Sequence, residues 1–118
     1  MSNPYQVTKD FERALCSYTG APYAVAVNSA SAALMLSVKF HTPKIPGPLQ
    51  GIQIPRKTYV SVPCAILNAG PFFPTWRDED WRGVYQLKPL QVWDCARRFT
   101  SGMYRSGQFQ CVSFSTSK

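Results

Sequence analysis

The chain of 118 residues is long enough for one small domain with a modest core, and its composition, 45% hydrophobic and 14% aromatic, excludes a disordered protein. Lysine and arginine outnumber aspartate and glutamate by 13 to 6, but most of these cations are scattered singly, so we expect no nucleic-acid partner. No apolar run approaches the ~20 residues of a membrane span and no signal peptide is recognised, so we expect a cytoplasmic protein without a membrane partner.

The first half of the chain alternates helices with strands. Residues 3–20 have apolar residues at helical spacing and end in a glycine, which predicts an amphipathic helix. The β-rich run 23–27 predicts a strand, and it is followed at once by a helix that Asn28 or Ser29 could cap and that runs to Phe40. This is the pattern of a strand, a tight turn and a helix.

The pattern continues, with strands predicted at 51–55 and 71–75 and a helix between them that ends near Gly70. A surface loop over 76–83 precedes a fourth strand at 90–94, and residues 102–115 read as two strands. Alternating strands and helices predict an α/β domain with a mostly parallel sheet.

The four cysteines are irregularly spaced, form no C-x-x-C pair and are accompanied by a single histidine. This spacing argues against the common structural metal sites, and we expect no metal. Without a signal peptide, the cysteines are expected to be reduced and mostly buried as small hydrophobic residues; they are Cys16, Cys64, Cys95 and Cys111.

Polar or aromatic residues follow several predicted strands, where open α/β sheets place their ligand sites. Residues 28–31 could bind a phosphate through backbone N–H groups and a serine hydroxyl, although most such caps serve only the helix. Tyr59 could stack on a flat ligand, although an aromatic residue there more often packs. Asp94 could hold a protonated ring nitrogen, or it could cap a turn.

Ser113 and Lys118 follow the last predicted strand. A lysine can form a Schiff base with an aldehyde when its free amine is available, although a terminal lysine is more often solvated. A phosphate cup, a stacking ring, a carboxylate and such a lysine are together the parts that a pyridoxal 5'-phosphate (PLP) site requires.

Four stretches that cover most of the chain carry a family resemblance. They are FERALCSYTGAPYAVAVNSASAALMLSV, IPRKTYVSVPCAILNAGPFFPTWRDED, VWDCARRF and GQFQCVSFSTSK. In this order they resemble the DegT/StrS family of fold-type I PLP-dependent sugar aminotransferases. The resemblance implies an α/β fold with a three-layer-like, mostly parallel sheet and flanking helices, an incomplete version of the fold-type I large domain.

The resemblance also implies which residues contact the cofactor. Ala30 and Ser31 match the phosphate cup, and Ser113 matches a serine that contacts the same phosphate. Tyr59 matches the aromatic residue that stacks on the pyridine ring, and Asp94 matches the aspartate that pairs with the ring nitrogen.

Two further positions complete the implied site. Lys118 matches the catalytic lysine that holds PLP as a Schiff base and then acts as a general base. Arg97 stands near the cofactor where the family usually has a neutral polar residue. Between Asp80 and Val92 the chain is too short for the family's strand and crossover helix, so the sheet is expected to lack a strand.

The implied activity is transfer of an amino group from an amino donor to a keto-sugar nucleotide, by a homodimer. Relatives continue past the lysine, so residues 1–118 are expected to form a single truncated domain without the small C-terminal domain, inactive by itself. The alternatives are a truncated or degenerate domain that folds and dimerises without turnover and, last, a small basic binding module.

Overall fold

In the computed structural model, which describes residues 4–43 and 47–114, three helices and five short strands are formed. The helices are α1 (Pro4–Thr19), α2 (Ala30–Phe40) and α3 (Ser61–Ala69), and the strands are β1 (Gln50–Pro55), β2 (Phe72–Arg77), β3 (Tyr85–Gln86), β4 (Val92–Cys95) and β5 (Phe109–Val112). The mixed α/β class predicted from the sequence is confirmed.

The strands form two small sheets rather than one. β1 and β2 pair in parallel, and the second sheet has the order β3-β4-β5, in which β4 and β5 are parallel and β3 is antiparallel to β4. Backbone hydrogen bonds between Gln53 and Lys88, at 2.8 and 3.1 Å, link the two sheets. The short connection from β3 to β4 explains the antiparallel pair, because parallel neighbours need a crossover of a dozen residues or more.

Residues 23–27, predicted as a strand, form neither a strand nor a helix. A strand requires a neighbour for its backbone, and within the described residues this segment has no ladder partner. The N–H of Ala26 instead donates to a carboxylate oxygen of Glu12 on α1, at 2.7 Å. Tyr23 and Val25 remain 87% and 79% exposed.

Two strands were predicted in residues 102–115. The second is β5, but the first is not formed in the described part of this stretch, so that prediction is wrong. The N–H groups of Gly102 and Tyr104 donate to the carbonyls of Tyr18 and Thr19 at the end of α1, at 2.9 and 3.0 Å. These bonds hold the segment against the helix end, so its backbone is not available to β5.

The three predicted helices are confirmed, and local signals explain where they start and stop. α1 is followed by Gly20, whose φ of 85° favours glycine and whose N–H donates to the carbonyl of Cys16 at 2.9 Å. α2 is capped by Ser29, whose hydroxyl oxygen accepts the N–H of Ala32 at 3.1 Å. In α3, Pro63 lies in the first turn, where its missing N–H costs little.

The core lies between helices α2 and α3 and the strands on which they pack. Its fully buried side chains include Val38, Ile52, Ile54, Ile66, Leu87 and Val92. By contrast, α1 buries none of its residues and contacts loops, with the ring of Tyr18 stacked on Phe99 at 4.8 Å. Flanking helices were predicted; α2 and α3 pack directly on strands, whereas α1 does not contribute to the core.

All four cysteines are free thiols, as the sequence predicted. Burial was predicted for most of them and holds for two, Cys95 and Cys111, whereas Cys16 is partly exposed and Cys64 is exposed. No helix within 4–43 or 47–114 combines the length and the apolar composition needed to cross a membrane.

Candidate functional site

Most of the predicted site residues that the structure describes lie at or beyond the carboxyl ends of strands. Asp94 is in β4, Ser113 directly follows β5, and Tyr59 lies in the turn between β1 and α3. The parallel pairing of β4 with β5 places Asp94 opposite Cys111, so the first two positions share one edge of the sheet. Lys118 lies outside the described residues.

The N-terminus of α2 points towards the same edge. The Ser37 hydroxyl lies 3.4 Å from the Cys111 thiol, and the Phe40 ring is centred 5.1 Å from that of Phe109. Later helix residues therefore contact earlier strand residues, so α2 runs antiparallel to β5. Its first residues, Ala30 included, consequently lie towards the carboxyl end of that strand.

The start of α2 and the residue after β5 line one groove. Ala30, Ser31 and Ser113 are among its lining residues, and its volume is about 960 Å³. Ser29 accepts the N–H groups of Ala32 and Ala33, through its hydroxyl at 3.1 Å and its carbonyl at 3.1 Å. The N–H groups of Ala30 and Ser31 belong to the first turn, for which a helix supplies no acceptor. This end of the groove can therefore bind an anion.

Among the described residues, Asp94 is the buried charged side chain, and 6% of its surface is exposed. The Tyr85 hydroxyl donates to its Oδ2 at 2.9 Å, and the Ala96 N–H donates to its Oδ1 at 3.0 Å. These bonds offset part of the cost of burying the charge. Each carboxylate oxygen retains a second acceptor position.

A second hydroxyl extends this arrangement to the loop after β1. The Thr58 hydroxyl lies 2.5 Å from the Tyr85 hydroxyl. Because Tyr85 has a single hydroxyl hydrogen and gives it to Asp94, the hydrogen between Thr58 and Tyr85 comes from Thr58. Burial, followed by the charge of Asp94, raises the pKa of Tyr85 far above its ordinary value, so Tyr85 stays a protonated donor.

Tyr59 and Arg97 are in contact. The guanidinium carbon of Arg97 lies 5.8 Å from the centre of the Tyr59 ring, within the range of a cation–π interaction. Tyr59 is 40% exposed, so its ring is accessible at the surface. Asp94 precedes Arg97 by three residues and is tied through Tyr85 to the neighbour of Tyr59.

The described site residues thus form two groups. Tyr59 and Arg97 are in contact, and Asp94 is linked through Tyr85 to the residue before Tyr59, whereas Ala30, Ser31 and Ser113 line the groove. The residues that line the groove do not include Tyr59, Asp94 or Arg97, so the two groups do not share this groove.

Sequence reasoning assigned no role to Tyr85 or to Thr58. Tyr85 and Leu87 alternate with more exposed neighbours and are 2% and 0% exposed. That alternation was the available signal for β3, but the importance of Tyr85 depends on β4, which lies opposite it.

A model of the DegT/DnrJ/EryC1/StrS aminotransferase family matches residues 1–80 of the 118. No curated protein and no solved structure gives a significant match. The matched residues include the first turn of α2 and Tyr59, whereas Asp94, Arg97 and Ser113 lie beyond them. By this match over most of its length, the chain belongs to the DegT/DnrJ/EryC1/StrS aminotransferase family.

Proposed function

We propose that the chain is the cofactor-binding part of a PLP-dependent aminotransferase that acts on keto-sugar nucleotides. Family membership supports the reaction class, because this family generally uses PLP. The observation that carries the proposal is the buried Asp94, which has hydrogen-bond capacity to spare and is linked through Tyr85 to Thr58, the residue before Tyr59. A buried carboxylate of this kind is a suitable partner for a protonated ring nitrogen.

The groups at the groove end suit the acidic end of PLP. The first N–H groups of α2, at Ala30 and Ser31, and the hydroxyl groups of Ser31 and Ser113 would hold the phosphate. The positive end of the helix dipole adds to this binding, because it favours an anion at the N-terminus. PLP itself supplies an electron sink for bond breaking at the substrate carbon.

The remaining residues would orient and tune the ring. Tyr59 would pack on its face, Asp94 would accept a hydrogen bond from its nitrogen, and Arg97 would place a positive charge beside it. We assign covalent attachment of the cofactor to Lys118. The Lys118 amine, when free, would take a proton from the α-carbon of the amino donor and would later deliver one to the substrate carbon.

The test is a spectroscopic titration of the purified chain with PLP, followed by borohydride reduction and peptide mapping. We expect a Schiff-base absorption band that disappears on reduction, with the reduced adduct mapped to Lys118. Lys118→Ala should abolish the band and the adduct. The matched control is Lys39→Ala, which removes an exposed lysine from the last turn of α2 and should change neither.

A band that persists in Lys118→Ala would contradict the assignment of that lysine. If the folded wild-type chain gives no band at all, a domain that folds and dimerises without turnover becomes the better explanation. Circular dichroism of each variant separates loss of the site from loss of the fold.

A further inference from the structure

Three side chains from separate parts of the chain form one hydrogen-bonded series that ends at Asp94. Thr58 lies after β1, Tyr85 is in β3, and Asp94 is in β4. The Thr58 hydroxyl donates to the Tyr85 oxygen at 2.5 Å, and the Tyr85 hydroxyl donates to Oδ2 of Asp94 at 2.9 Å. The series therefore connects the loop that carries Tyr59 with the strand that carries the carboxylate.

We propose that Tyr85 is a positioning residue that fixes the Asp94 carboxylate for its ligand, and that Thr58 fixes Tyr85 in turn. The consequence for a bound ring nitrogen rests on the proposed function, whereas the positioning of the carboxylate is a property of this chain without any ligand.

Backbone pairing makes Tyr85 suited to this role. Tyr85 lies directly opposite Asp94 in the antiparallel pair of β3 and β4, and side chains of directly opposed residues extend from the same face of a sheet. The tyrosine hydroxyl reaches Oδ2 from that side. The Ala96 N–H holds the other oxygen, Oδ1, so two donors from different places define the orientation of the carboxylate plane.

The ring of Tyr85 is itself held firmly. Only 2% of Tyr85 is exposed, and the Trp81 ring packs edge-on against it with centroids 4.9 Å apart. The Trp81 indole N–H donates to the carbonyl of Lys57 at 2.6 Å, which anchors the tryptophan to the residue before Thr58. A rigid donor of this kind gives the precise placement that a bound group requires.

Tyr85 serves as a donor and not as a proton carrier. Burial and the neighbouring Asp94 charge both raise the pKa of Tyr85, so the phenol keeps its proton throughout the neutral range. Its contribution is therefore geometric and electrostatic: it holds one oxygen in place and leaves further acceptor capacity for a ligand.

The test compares PLP with its 1-deaza analogue, in which carbon replaces the ring nitrogen. The wild-type chain should bind PLP more tightly than the analogue. Tyr85→Phe keeps the ring volume but removes the donor, and it should weaken PLP binding on the order of tenfold while leaving binding of the analogue nearly unchanged. Thr58→Val should show a smaller loss in the same direction.

Tyr104→Phe is the matched control, because it also removes one tyrosine hydroxyl, which accepts the Gly107 N–H at 3.3 Å and lies outside the Asp94 series. It should retain the wild-type preference for PLP over the analogue. If Tyr85→Phe retains that preference as well, the positioning role is overturned while the proposed function stands.

Amide hydrogen exchange in the cofactor-free chain gives an independent measurement. If Tyr85 fixes the carboxylate, the Ala96 amide should exchange faster in Tyr85→Phe than in the wild type, because its acceptor is no longer held. Unchanged Ala96 exchange would overturn the proposal even if no PLP binds. Failure of the wild-type chain to bind PLP, together with faster Ala96 exchange, would reject the proposed function and keep the positioning role.

Discussion

Two buried thiols make the stability of this protein depend on pH. Burial is the main cause that raises the pKa of Cys95 to about 12 and of Cys111 to about 11, from the ordinary 9.0. A hydrogen bond with the Ser37 hydroxyl partly opposes the rise for Cys111. Unfolding exposes both thiols, so the unfolded chain loses their protons at a lower pH than the folded chain does.

The direction of the effect follows from these pKa values. Below pH 9.0 the thiols are protonated in both states, and their contribution to stability is complete. As pH rises from 9.0 towards 11, the unfolded chain releases the Cys111 proton while the folded chain keeps it. The free energy of unfolding should therefore fall by up to about 1.4 kcal/mol per pH unit for each such thiol.

We expect Cys111→Ala to remove one thiol's share of this alkaline loss, and Cys64→Ala, at an exposed position, to leave the loss unchanged. Urea unfolding at about pH 8 and about pH 10.5 would measure the two slopes. Equal slopes in both variants would show that Cys111 does not titrate as a buried group.

At the scale of elements, the N-terminus of α2 combines a structural role with the proposed phosphate site. Ser29 caps the helix, and the next two residues, whose N–H groups belong to the first turn, line the groove. Substitutions at Ser29 can therefore separate helix stability from anion binding.

Ser29→Ala should lower the free energy of unfolding by about 1 kcal/mol, because it removes the acceptor of the Ala32 N–H. Ser29→Asp should keep the stability, because aspartate is an equally good cap, but its negative charge should weaken PLP binding. Thermal unfolding and the PLP titration measure the two effects. If Ser29→Asp binds PLP as tightly as the wild type, the phosphate does not lie at this helix end.

Elements with strong local signals were predictable, including the strands β1, β2, β4 and β5, whereas whether residues 23–27 and 85–86 form strands depends on distant partners. The serine cap, the glycine after α1 and the periodic apolar residues define helices within a few residues, and all three helices were correctly predicted. Residues 23–27 have strand-like composition, but a strand also needs a neighbouring backbone, which composition does not reveal. β3 was missed because it has only two residues, too few for a recognisable pattern, and because it forms only by pairing with β4 further along the chain.

The site shows the same division. Asp94 could be proposed as a site residue because a charge ends an apolar run and because the family resemblance includes it, and this assignment stays a prediction. The hydrogen bond from Tyr85 could not be predicted, because it depends on the antiparallel return of the chain after β2. The contact between Arg97 and Tyr59 joins residues from two different loops, which spacing along the sequence does not indicate.

At the scale of the whole molecule, we expect a homodimer, as is general for the family. Each chain carries a net charge of +7, so two chains repel each other at long range. Raising the salt concentration screens this repulsion, and the dimer should then dissociate less. Sedimentation equilibrium at low and high salt would measure the change, and a chain that stays monomeric at every concentration would contradict the expectation.

The salt dependence also separates the dimer from the alternative of a basic binding module. Binding to DNA should weaken as salt rises, because neutralising phosphates releases counterions. Retention on a DNA column that decreases steeply with salt would favour the binding module.

The unpaired segment 23–27 has a practical consequence for the protein's behaviour in concentrated solution. The exposed side chains of Tyr23 and Val25 line the same groove as β5. Within the described residues, β5 is an edge strand of its sheet. Backbone of β-rich composition that has no neighbouring strand, next to exposed apolar side chains, is a template for association between chains. The solubility limit should therefore respond more strongly than the unfolding free energy to substitutions in this segment.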